Sequence, residues 1–186
     1  MSQLTANQRY SGVSMLLHWL IAVAVIVNWR LIEAAEHAEV RADAFAFVMN
    51  HKSLGITILA LTLLRLGWRL INRPPPLRAG MAAWEKALAR TLHIVFYVLL
   101  VGLPMLGWLS ESFEGEGIEV WGMFTLPGLP VGVNEQLAET MGELHGTGGE
   151  IMIYLIGLHV LGMLKHMLID KDGNLWRMLP FGTPKA

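Results

Sequence analysis

The stretch from Gly142 to His166, GELHGTGGEIMIYLIGLHVLGMLKH, decides the fold. Almost every position is small or apolar, and about 20 residues of helix, at roughly 1.5 Å rise each, cross the hydrocarbon core of a bilayer. Set into this run are His145 and His159. Their fourteen-residue separation turns a helix by about 1400°, roughly 40° short of four turns, so both imidazoles share one face about 21 Å apart along the axis.

Three more apolar runs of similar length lie near Val13 to Ile32, His51 to Ile71 and Leu92 to Leu109, with the fourth taken from Gly146 to Ile169. Hydrophobic residues make up 54% of the 186 and charged residues only 16%. The mean hydropathy is +0.47, too oily for an ordinary soluble domain. Backbone polar groups in hydrocarbon must be satisfied within their own segment, so the runs are expected to be helices. The expectation is an all-α membrane protein, a bundle of four transmembrane helices, as a single domain over residues 1–186. The first run is long and lacks a small-residue cleavage site, so it reads as a retained span.

Charge patterning orients the chain. Arg65, Arg69, Arg73, Arg78, Lys86 and Arg90 flank the second-to-third connection, and Lys171, Arg177 and Lys185 follow the last span. Between Ser110 and Gly149 there is no Lys or Arg, but there are Glu111, Glu114, Glu116, Glu119, Glu135, Glu139 and Glu143. By the positive-inside rule both termini are expected in the cytoplasm and the acidic loops on the opposite, periplasmic side. The connection from Ser110 to Met141 is expected to cap the bundle or lie on the membrane, and Pro104 to kink the third span. No phosphate-cradling loop or basic-aromatic patch suggests nucleic acid.

The seven histidines carry the chemistry. With antiparallel neighbours, His18 falls at the depth of His159, and His51 at the depth of His145. A zinc site wants three or four clustered ligands, and a proton relay usually includes intramembrane carboxylates. Without cysteine there is no disulfide, thiolate site, iron–sulfur cluster or c-type haem attachment. Two facing pairs of neutral imidazoles suit the axial positions of b-type haem. Gly55, Gly142, Gly146, Gly149 and Gly162 would leave room beside a flat macrocycle, although each alone is explained by helix packing.

These residues are also where the chain resembles a known family, the bacterial cytochromes b561, and through their fold the membrane cytochrome subunits of nickel–iron hydrogenases. The matching pieces are Arg9-Tyr-Ser and Leu17-His-Trp19, His51-Lys-Ser-Leu-Gly-Ile56, Arg65-Leu-Gly-Trp-Arg69, Leu92-His-Ile-Val-Phe-Tyr97, Glu143-Leu-His145, Gly157-Leu-His159, and Lys165-His166 with Asp170-Lys-Asp172. The resemblance spans nearly the whole chain. It implies two haems b in one bundle of the bacterial inner membrane, with His18, His51, His145 and His159 as iron ligands. It further implies exchange of single electrons with ubiquinone, the other partner being a periplasmic redox protein or a small substrate such as superoxide. A superoxide:ubiquinone oxidoreductase is one form of that activity. The alternative is a cytochrome subunit that relays electrons for a separate soluble partner, which the short cytoplasmic connection disfavours. Catalytic acids, bases and nucleophiles are not evident, and a homodimer is left open.

Other polar residues are less sharply defined. His93 could donate to a quinone carbonyl or a haem propionate, or be a satisfied core histidine. His166 could contact a propionate but is expected in water or at the headgroups, and His37 in solvent. Arg65 and Arg69 could neutralise propionates or reach lipid phosphates. Lys52, beside His51, could hold a propionate, attract a small anion, or be an ordinary interfacial lysine.

Overall fold

The structure, a computed structural model, describes residues 9–77 and 80–182. Arg78 and Lys185, two of the charges used for orientation, lie outside the described residues. Four helices are long and apolar enough to cross a membrane: α1 (Gly12–Glu36), α2 (Arg41–Ile71), α3 (Ala83–Phe113) and α4 (Glu135–Leu168). Each outlasts its apolar run, because polar ends in water continue the same hydrogen-bond ladder: α2 begins ten residues before His51, and α4 eleven before Gly146. Ser11 caps α1 by accepting from the Ser14 amide, and Asn134 caps α4 by accepting from Leu137. Pro104 lies within α3, which continues through it as one helix.

The helices pack as two hairpins, α1 along α2 and α3 along α4, joined by lesser contact between α2 and α3. Few side chains are buried by other protein groups, and the exposed ones include Val23, Val27, Leu63, Leu64, Ile94 and Val98, as expected of surfaces solvated by lipid tails.

The acidic end is capped. Within the long connection, β1 (Ile118–Val120) pairs antiparallel with β2 (Phe124–Leu126), and Ile118 and Val120 are buried beneath it. The expected cap is therefore found, as a hairpin that the sequence reading did not anticipate. Trp121 takes a left-handed conformation, φ 54°, held by two hydrogen bonds to α2: its amide donates to Ser53 Oγ (3.0 Å) and its indole to Thr57 Oγ1 (3.0 Å). Ser53 in turn donates to the Glu119 carbonyl. Gly128 is required by close approach, since a Cβ there would lie 2.7 Å from the Glu116 carbonyl oxygen, a backbone atom that cannot step aside. Gly128→Ala is expected to cost about 1–3 kcal/mol by overpacking. Thermal unfolding should show the loss, with the hairpin becoming susceptible to proteolysis first.

At the basic end the chain after α4 folds back as a 3-10 turn, Asn174–Met178. The Trp19 indole donates to the Met178 carbonyl (2.8 Å), and buried Arg177 donates to the Pro76 carbonyl (2.8 Å). Lys165 bridges α3 and the tail, donating to Glu85 and to Asp170 Oδ2 (2.8 Å). Its ammonium holds the Asp170 carboxyl below the ordinary value. That contribution is complete above the unfolded-state pKa and is lost as pH falls through the lowered folded-state value. Acid should therefore loosen this closure before it melts the helices.

Candidate functional site

Both histidine pairs expected from depth meet in space. The rings of His51 on α2 and His145 on α4 have centroids 5.7 Å apart at 81°, and those of His18 on α1 and His159 on α4 are 6.5 Å apart at 77°. In both cases the partners come from opposite hairpins, with α4 contributing one imidazole at each level. Two imidazoles bound to one metal from opposite sides, with bonds of about 2.0–2.1 Å, place their centroids roughly 6 to 6.5 Å apart. The His18–His159 pair, at 6.5 Å, has that separation, and the His51–His145 pair, at 5.7 Å, is slightly closer.

At the acidic-end level the orientation of the rings is fixed through their second nitrogen. His51 Nδ1 is 3.0 Å from the Asn28 carbonyl, and His145 Nδ1 is 2.8 Å from the Leu103 carbonyl. A carbonyl only accepts, so each Nδ1 carries the proton and donates it, which leaves each Nε2 lone pair free for a metal. Gly107 makes room for His145: a Cβ there would meet its Cε1 and Nδ1 at 3.3 Å. By contrast, a Cβ on Gly146, Gly149 or Gly162 would meet nothing within 4 Å, so α4 has open space beside both histidines. The residues present thus fit a bis-imidazole metal macrocycle at each level.

The basic-end level holds a third imidazole. His93, on α3, has its ring centroid 5.7 Å from that of His159, and Phe96 stands edge-on to His159 at 5.5 Å. His93 belongs to the same hairpin as α4, so it flanks the pair from one side.

Further toward the basic end lies a cavity of about 840 Å³, lined by Arg9, Tyr10, Arg65, Arg69, Arg73 and Tyr97 among others. Arg65 turns inward. It donates to the Ser14 carbonyl (2.6 Å) and to the Tyr97 hydroxyl (3.2 Å), tying three helices together, while Arg69 stands over the Tyr97 ring at 5.8 Å. Among the described residues none of the four arginines is paired with a carboxylate, so the cavity is electropositive and rich in donors. The partners of Arg65 are thus neutral oxygens of the protein, a carbonyl and a hydroxyl.

Two sequence readings change. Lys52 is not a free cation: its ammonium lies 2.6 Å from Glu111 Oε2, with both side chains largely shielded. His166, which the sequence left without a partner, has its Nδ1 2.8 Å from Asp172 Oδ2 and 3.0 Å from Asp170 Oδ2. The Lys165-His-x-x-x-Asp170-x-Asp172 spacing is the signal for it, because the chain must turn back after α4 to bring those carboxylates up. His37 is exposed, as expected.

Comparison with known proteins places the chain among cytochromes. The family model described as prokaryotic cytochrome b561 matches residues 9–181. Cytochrome b561 homolog 2 of Escherichia coli (strain K12) is 30% identical over 188 residues, covering 96% of this chain and 95% of the relative. A protein of Yersinia pestis named probable superoxide oxidase CybB is 31% identical over 174 residues, covering 94% and 97%. Cytochrome b561 homolog 1 of E. coli is 25% identical over 173 residues, covering 92% and 97%.

Proposed function

This chain belongs to the prokaryotic cytochrome b561 family, multi-pass electron carriers of the bacterial inner membrane, and we propose that it holds two haems b and passes single electrons between a periplasmic donor and ubiquinone. His51 with His145 would ligate one haem and His18 with His159 the other. The observation that carries the reading is the pairing of imidazoles across the two hairpins at two depths. Both termini are assigned to the cytoplasm and the β1–β2 cap to the periplasm, from the charge asymmetry. The whole chain acts as one domain.

Haem b supplies a reversible one-electron couple; the protein supplies position and potential. The carbonyls of Asn28 and Leu103 would hold two imidazoles in one tautomer and orientation, with each Nε2 free to face a metal. At the other end Arg65, Arg69 and Tyr97 present donors that suit propionate carboxylates and the carbonyl oxygens of a quinone headgroup. Superoxide is the donor we favour, because a relative that matches along nearly its whole length is named a probable superoxide oxidase.

Stopped-flow mixing of the purified holoprotein with superoxide, with ubiquinone present, tests this directly. Rapid haem reduction followed by quinol formation is expected; indifference to both reagents would overturn the assignment. Lys52 and Glu111 allow a finer test. Glu111→Gln leaves the ammonium unanswered, so the rate with superoxide should rise roughly two- to tenfold at low ionic strength and lose that gain in high salt.

A further inference from the structure

The face of α4 opposite its histidines is polar where it should be oily. Counted at 100° per residue, Glu143, Thr147, Glu150, Tyr154, Gly157 and Leu161 fall within about 40° of the direction opposite the midpoint between His145 and His159. All six are exposed, Tyr154 to 78% and Leu161 to 63%.

Their depth makes this costly. Glu150 lies five residues, about 7.5 Å, deeper than His145, and fifteen residues, about 22 Å, from Lys165. The two cross-helix ion pairs, Lys165 to Glu85 and Lys52 to Glu111, give a ruler along α3, with Glu85 and Glu111 separated by 26 residues, or about 39 Å. Glu150 is well inside that interval, where a carboxyl facing hydrocarbon is expensive and needs a partner. Elsewhere the outward faces are apolar, as at Val23 and Val27 on α1, Leu63 and Leu64 on α2, and Val98 on α3.

The spacing 143, 147, 150, 154, 157, 161 alternates four and three. That is the seam by which two helices pack with a left-handed crossing. We propose that this seam docks against the same seam of a second copy of the chain, giving a parallel, two-fold symmetric dimer through α4. Both copies share one membrane orientation, so a two-fold axis along the membrane normal sets equal depths side by side. The seam is self-complementary: the Tyr154 hydroxyl of each copy donates to the Glu150 carboxyl of the other, one turn away, and the reciprocal bond forms by symmetry. Gly157 lets the backbones approach on the basic side of these bonds.

Because the chain contains no cysteine, single-cysteine variants report the contact without a background. Oxidation in liposomes should give disulfide-linked dimers from Thr147→Cys and Leu161→Cys, and none from Leu64→Cys on the outward face of α2. Adding Tyr154→Phe or Gly157→Leu should lower the cross-linked fraction at least tenfold at equal protein-to-lipid ratio. Tyr154→Phe removes one hydroxyl and nothing else, so it also tests the bond where the bulkier variant fails to fold. A chain that stays monomeric, its seam covered by lipid or quinone, overturns the proposal. So does cross-linking that is equal on α2 and α4, or that is insensitive to Tyr154→Phe.

Discussion

His159→Ala should empty one haem site and leave the other filled. His18→Ala should lose that same haem, whereas His51→Ala and His145→Ala should each lose the second. Every single variant should keep about half of the reduced b-type absorbance, and electron transfer through the chain should fall by at least about a hundredfold. The informative control is His93→Ala, because that ring is as near to His159 as His51 is to His145. It should retain both haems and change at most the potential of the basic-end haem or the rate with quinone. If His93→Ala emptied the site and His18→Ala did not, the pairing across the two hairpins would be wrong at that level. Difference spectra and haem extraction on the five variants settle the matter.

Gly107→Leu is expected to act at a distance in sequence but in contact in space. A Cβ at Gly107 would already meet the His145 ring at 3.3 Å. Alanine would ask for a shift of a few tenths of an ångström, whereas leucine adds three more carbons on that side. Overpacking of this kind costs about 1–3 kcal/mol, and the cheapest relief is to swing His145 out of reach of the Leu103 carbonyl. Gly107→Leu should therefore lose the haem proposed for His51 and His145 while retaining the one proposed for His18 and His159. Gly107→Ala should keep both, with an altered potential for the affected haem alone. Redox titration separates the two outcomes, and equal loss of both haems in Gly107→Leu would indicate a global packing defect instead.

How far the sequence could be read depended on the range of the interaction concerned. Hydropathy is local, so all four spans were legible, yet their helical ends were not: α2 and α4 each begin about three turns before the apolar run. The histidine pairing was legible because depth in a membrane is a one-dimensional coordinate. Depth alone does not single out a partner where three imidazoles share a level, as His18, His93 and His159 do. The β1–β2 hairpin was not legible, since its strands are three residues each and are held by Ser53 and Thr57 more than sixty residues earlier in the chain. The pairing of Lys52 was not legible for the same reason: Glu111 is fifty-nine residues away, on a helix whose rotation the sequence does not specify. The acidic partners of His166 were within six residues, but recognising them required knowing that the chain turns back after α4.

By itself, then, the sequence determined the class of solvent, the number of the spans, and the two depths at which imidazoles lie, because each of these follows from residue type and from distance along one axis. Only the tertiary structure decided how the helices pair into hairpins, that His93 flanks the lower level, that Leu103 and Asn28 supply the carbonyls behind two of the rings, and that Glu150 and Tyr154 face away from them. Those facts depend on the rotation of each helix about its own axis relative to its neighbours. That rotation is set by side-chain packing between segments far apart in the chain.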